Sequence, residues 1–154
     1  MSFENPPENP IPKTGLKRAM AFGRKYIDYR MGIYGAVVMA SIVFYINFHG
    51  TQDYSGATTA ALKQGTYTFF FGGFIMRLSE RIAVEIRKKA IALILACVVP
   101  SLLSLVLTFG LHNLKGTPKP LQSTIPTAVF VIPATAVWGY LKRKKAEAKI
   151  HKTD

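Results

Sequence analysis

Between Ala90 and Leu111 the chain runs for 22 residues without a charged side chain. A helix of roughly 17–25 predominantly apolar residues is what crossing a bilayer core requires, whereas a helix lying on a water-soluble core needs a polar face. Three more stretches are built alike. Residues 31–48 and 121–141 carry no charge, and 57–76 carries one, Lys63. Together they predict an all-α membrane protein with four transmembrane helices arranged as two helical hairpins, the transmembrane domain covering 31–141.

Composition fits this partition. Apolar residues make up 49% of the chain and mean hydropathy is +0.20, yet the formal net charge is +12 and the pI is about 10.0. A soluble domain seldom combines these. They are reconciled when apolar residues are gathered into spans and basic ones into the segments between them. The residues before the first span supply Lys13, Lys17, Arg18, Arg24, Lys25 and Arg30. Arg77, Arg81, Arg87, Lys88 and Lys89 lie between the second and third spans. The tail 142–154 adds Lys142, Arg143, Lys144, Lys145, Lys149 and Lys152. Of the 20 basic residues only Lys63, Lys115 and Lys119 are left for the other side. The positive-inside rule therefore predicts both termini in the cytoplasm, with the protein in the cell (inner) membrane. Charge placed this way argues against nucleic acid as a partner, because the basic runs abut spans where topology and anionic lipid account for them.

Residues 1–13 hold four prolines and no apolar run, and read as a disordered lead without the features of a signal peptide. From 14 to 30 the pattern is helical and amphipathic. Lys17, Arg18, Ala21, Arg24, Lys25 and Asp28 fall on one face, and Leu16, Ala19, Met20, Gly23, Tyr26 and Ile27 on the other, with Thr14 as N-cap. Such a helix lies on an anionic membrane surface, or alternatively packs on its own protein. Lys142, Arg143, Lys144 and Lys145 extend the same anionic-lipid surface from the tail.

Inside the spans a few polar residues stand out. Gly32, Ala36 and Ala40 make a small-residue face for close helix approach. Lys63 lies roughly 9 Å into the second span at 1.5 Å per residue. It either snorkels to the interface or faces the bundle interior. Gln64 and four threonines accompany it, and Gly72-Gly73 offers a kink point. In the third span Cys97, Ser101, Ser104 and Thr108 form one polar stripe beside Pro100, which frees a backbone carbonyl. The stripe lines a pathway or bonds another helix. Pro126 and Pro133 are expected to bend the fourth span. Asn47, His49, His112 and the stretch 111–133 fall on the outer side and suggest a polar outer vestibule that Lys63 and His49 share.

Several chemistries are disfavoured. The histidine and aspartate spacing matches no compact metal motif. Gly116-Thr117-Pro118-Lys119-Pro120 lacks the amide donors of a phosphate cradle. Ser101 and Ser104 are far along a span from either flanking histidine, and Glu80 and Glu85 do not share a helical face, so neither a nucleophile nor an acid–base pair is assembled. The single cysteine excludes an intrachain disulfide, and no cofactor is implied. Three functions are compatible: an oligomeric channel or permease for a small anionic or zwitterionic solute, built as a homo-oligomer because four helices enclose little pore; a non-catalytic membrane subunit or lipid-interacting scaffold, with a partner protein; or a membrane-embedded enzyme acting on a lipid or amphiphile through His49, His112 or Lys63.

Overall fold

A computed structural model describes residues 15–114 and 120–150, the side chains of Leu16, Lys17, Ala19, Phe22, His112, Gln122, Ser123 and Ile150 excepted. Every element among the described residues is helical. They are α1 (Gly15–Tyr26), α2 (Tyr29–Thr51), α3 (Tyr54–Tyr67), a π-turn (Thr68–Gly72), α4 (Gly73–Glu85), α5 (Lys89–Leu114) and α6 (Pro120–Ile150). Among the described residues three helices are long and apolar enough to cross a membrane, over Tyr29–Thr51, Lys89–Leu111 and Thr124–Lys149. The stretch 57–76 is not among them: it is divided among α3, the π-turn and the start of α4.

The apolar surface is turned outward. Val37, Ile46, Val106 and Val129 are each 61–66% exposed, while the buried apolar residues are mostly alanines such as Ala57, Ala61, Ala83, Ala92 and Ala96. In water such a surface would cost free energy in proportion to its area; in hydrocarbon it costs nothing, and close backbone approach over small residues holds the helices together. Three such helices support an integral membrane location.

α2 begins at Asp28, whose carboxylate accepts the Met31 N–H at 3.1 Å as an N-cap. It ends at Gln52, a left-handed residue (φ 56°) whose N–H returns to the Phe48 carbonyl. Asp53 follows and α3 starts, so α3 doubles back along α2. At one end the rings of Phe44 and Phe48 meet Tyr54 edge-on. At the other, Asp28 N–H donates to the Gly73 carbonyl at 2.9 Å. Between them the expected small-residue face is in contact. A Cβ on Gly65 would stand 3.3 Å from Ala40 Cβ and 3.6 Å from the Ala36 carbonyl, and one on Gly32 would stand 2.6 Å from the Phe69 carbonyl. Phe69 belongs to the π-turn, and its ring stacks on Tyr29 at 5.9 Å.

α3, the π-turn and α4 follow one another without a break, about 48 Å of helix from Tyr54 to Glu85 at 1.5 Å per residue. That exceeds the roughly 30 Å of a bilayer core. The charged stretch from Arg77 onward, expected as a connector beyond the spans, is instead packed. Ile75, Met76, Ser79 and Ala83 are buried while charges occupy the other faces. α4 lies against both α5 and α6, which pack on each other, and among the described residues it carries most of the contact between them and α2–α3. α6 runs continuously through Pro126 and Pro133 and on to Ile150, so the basic tail extends the fourth apolar stretch as one helix.

Candidate functional site

Three places gather polar groups, and the first lies where α4, α5 and α6 meet. Thr135 is completely buried, as is Ser79. The Thr135 hydroxyl lies 2.9 Å from Ser101 Oγ and donates within α6 to the Val131 and Ile132 carbonyls at 2.9 and 3.0 Å, with the Cys97 carbonyl at 3.5 Å. Ser79 Oγ donates to the Thr135 carbonyl at 3.1 Å. Cys97 Sγ donates to the Ile132 carbonyl at 3.7 Å. This works because every neighbour is small. A Cβ on Gly139 would stand 3.0 Å from Ala96 Cβ and 3.3 Å from Ser79 Oγ. Pro100, also fully buried, lies between Cys97 and Ser101 on α5. Thus Ser101 of the polar stripe is buried against α6 and Cys97 reaches α6 from the half-exposed edge of the joint, while Ser104 and Thr108, further along, are also half-exposed. Sequence reasoning missed Thr135 and Ser79. The available signal was the spacing of four in Ser79–Ala83 and Thr135–Gly139, the small-residue signature.

The second place lies at the basic end. Lys142 Nζ is 2.9 Å from Glu80 and 3.9 Å from Asp28, and 4.3 Å from the centre of the Trp138 ring. Arg77 pairs with Glu80 at 3.1 Å. Other charged groups of this segment reach further along the chain. Lys89 bonds Glu147 at 3.1 Å, and Arg81 donates to the Lys25 carbonyl at 2.7 Å with its guanidinium over the Tyr26 ring. Arg143 spreads its guanidinium over the end of α4, donating to the Ala83 and Arg87 carbonyls at 2.9 Å each and to Ile86, while Nε holds Glu147 at 2.9 Å. These carbonyls are what a helix C-terminus leaves without intrahelical donors, and a cation there also meets the negative end of the helix dipole. The C-terminal carbonyls of α1 and α4 therefore both receive an arginine from another helix. Bonds from Arg143 first, then Lys89, hold the Glu147 carboxyl below its ordinary 4.5. Of the basic residues assigned from sequence to an anionic-lipid surface, Lys142 and Arg143 are engaged within the protein, and Arg18, Arg24, Lys25, Lys144 and Lys145 are exposed. Lys17 lies outside the described side chains.

The third place is a groove of about 560 Å³ on the face of α3 and the π-turn turned away from α2, lined by Leu62, Lys63, Thr66, Tyr67, Phe70 and Phe71. Lys63 is exposed, whereas Gln64, on the next face, is half-buried and donates to Thr68 Oγ1 at 3.3 Å. Asn47 donates to the Val43 carbonyl of its own helix at 2.8 Å, and exposed His49 rests on Tyr45 with ring centres 4.3 Å apart. The structure thus separates Lys63, on the far face of α3, from Ser101, in the α4–α5–α6 joint. The His112 side chain and residues 115–119 of the expected vestibule lie outside what the structure describes. A second groove, of about 360 Å³, runs between α5 and α6 beside Cys97 and Tyr140. Among the described residues no three His, Cys, Asp or Glu side chains gather where a metal ion could be held.

Compared with known protein families, curated proteins and solved structures, the chain matches none.

Proposed function

We propose that the chain crosses the membrane four times, as two hairpins with both termini in the cytoplasm, and serves as a non-catalytic membrane subunit or lipid-interacting scaffold. One observation carries the function: the hydroxyls of Thr135, Ser79 and Ser101, buried where α4, α5 and α6 meet, are consumed in bonds between helices. A conducting pathway needs such groups to face water, and an enzyme needs one of them beside a base.

The fourth crossing is supported by the way α3 retraces α2. Tyr54 lies beside Phe48, and Gly73 is bonded to Asp28. If α2 crosses, the stretch 54–72 returns over the same distance. The orientation rests on the basic residues, and exposed Arg24, Lys25, Lys144 and Lys145 suit the anionic cytoplasmic leaflet, where each contributes about 1 kcal/mol.

Reconstitution tests the function. Proteoliposomes containing the chain should pass halide and small organic anions no faster than empty vesicles; a flux that Lys63→Ala removes would establish a permease instead. An impermeant maleimide, applied to intact cells expressing Cys97→Ala with a new cysteine, should label Gly50→Cys and leave Lys145→Cys unlabelled. The reverse pattern would invert the topology.

A further inference from the structure

We propose that the groove on α3 holds an anionic phospholipid, its phosphodiester against the Lys63 ammonium and one acyl chain along Tyr67, Phe70 and Phe71. This rests on the membrane-spanning reading above and adds to it a specific lipid and a place.

The wall of the groove is a single helical face. Lys63, Thr66, Tyr67, Phe70 and Phe71 recur at spacings of three, four, seven and eight from Lys63, opposite the Ala57, Ala61 and Gly65 face that meets α2. Long side chains on a helix lean toward its N-terminus, which for α3 is the turn at Asp53. The lysine stem therefore carries the ammonium toward the nearer membrane surface, and the rings lie one and two turns deeper. A cation near the surface followed inward by an apolar trough about 10 Å long, seven residues at 1.5 Å each, has the polarity order of a phospholipid in that leaflet. Phe70 and Phe71 are 52% and 43% exposed, which leaves their faces for an acyl chain.

Charge decides the occupant. An ammonium surrounded by Leu62, Tyr67 and other apolar neighbours at this depth needs an anion. The chain has eight acidic residues, Glu4, Glu8, Asp28, Asp53, Glu80, Glu85, Glu147 and Asp154, and none lies in 31–48, 57–76, 90–111 or 121–141. A second copy carries the same net charge of +12, which disfavours it as the counter-charge. The lipid phosphodiester is the anion a bilayer always presents there.

The experiment uses the full chain in phosphatidylcholine nanodiscs with and without a minor fraction of phosphatidylglycerol, followed by native mass spectrometry of the lipid retained. Wild type should retain phosphatidylglycerol over phosphatidylcholine. Lys63→Met should lower that preference about fivefold, and Lys63→Arg should restore it. A Lys144→Gln/Lys145→Gln variant should keep the Lys63-dependent part, because those residues lie at the basic end. Unchanged retention by Lys63→Met overturns the proposal, as does loss in the Lys144/Lys145 variant alone. Alkaline carbonate extraction separates the two levels: a chain that washes off membranes refutes the spanning reading and the site together. A chain that stays while Lys63→Met retains the lipid refutes only the site.

Discussion

Ser79 on α4 donates its hydroxyl to the backbone carbonyl of Thr135 on α6, 56 positions away in sequence, and both residues are completely buried. The bond is polar at one of the tightest points of an otherwise apolar joint. The Thr135 carbonyl is thereby tied to α4 and its hydroxyl to Ser101 of α5, so three helices converge on one residue.

Thr135→Val keeps the shape of the side chain and removes its oxygen. It should lower stability by about 1–2 kcal/mol, the upper range for interhelical hydrogen bonds in membranes. Thermal unfolding in detergent followed through Trp138 measures it. A change within error would show that the Thr135 hydroxyl adds nothing to the joint beyond the packing of its side chain.

Glycine positions separate close contact from open surface. Gly32→Ala places a Cβ 2.6 Å from the Phe69 carbonyl, a backbone atom that cannot yield, whereas nothing lies within 4 Å of a Cβ on Gly110. Gly32→Ala should therefore destabilise by about 1–3 kcal/mol, and Gly110→Ala should be neutral or stabilise by up to about 1 kcal/mol through helix propensity. Equal midpoints for the two variants would contradict the α2–π-turn contact.

Arg143→Gln removes the guanidinium from the end of α4 and leaves the Ala83, Ile86 and Arg87 carbonyls without that donor. Charge-assisted bonds of this kind contribute about 1.5–3 kcal/mol. Limited trypsin digestion should then cut at Arg87–Lys89 well before other sites. Arg143→Lys should protect only partly, because one ammonium cannot span three carbonyls. Wild-type digestion kinetics in Arg143→Gln would remove the cap from the account.

Acid should loosen the same junction in a defined window. The Glu147 carboxyl is depressed below 4.5 by Arg143 and Lys89. A group whose folded value is lowered contributes stability above its unfolded value and loses it as pH falls through the folded one. The thermal midpoint should therefore be flat with respect to this residue above pH 4.5 and fall below it. Glu147→Gln should lack that part of the acid dependence, and an identical profile in the variant would show that other carboxylates account for it.

Much of the fold was legible because a membrane leaves few alternatives. A backbone in hydrocarbon must satisfy its own hydrogen bonds, so uncharged runs such as 90–111 become helices. The Gly32–Ala36–Ala40 face was readable from spacing because close approach needs small residues whatever the partner. The division of 57–76 was not readable. A π-turn has no composition of its own, and it arises here where Phe69 crosses Gly32. The basic end misled for a related reason. Lys142 and Arg143 look like any residues flanking a span, and only the fold brings Glu80 and the end of α4 beside them. Thr135 was hidden differently, as one hydroxyl among several in its stretch, distinguished only by its neighbours on two other helices.

The π-turn at Thr68–Gly72 has a consequence for how the chain can vary. Each residue of an α-helix advances about 100° around the axis, and a π-turn holds one residue more than an α-helical turn would. Winding the segment as regular α-helix with no residue removed would rotate everything on one side of it by that angle. Ala57, Ala61 and Gly65 would then leave α2, or Ser79 and Ala83 would leave α5 and α6. Removing one residue of the turn would instead leave the two sides in register. Loss of the wide turn at constant length should thus be far more damaging than loss of one of its residues: by absorbing the extra residue the turn holds the azimuth between two otherwise independent seams.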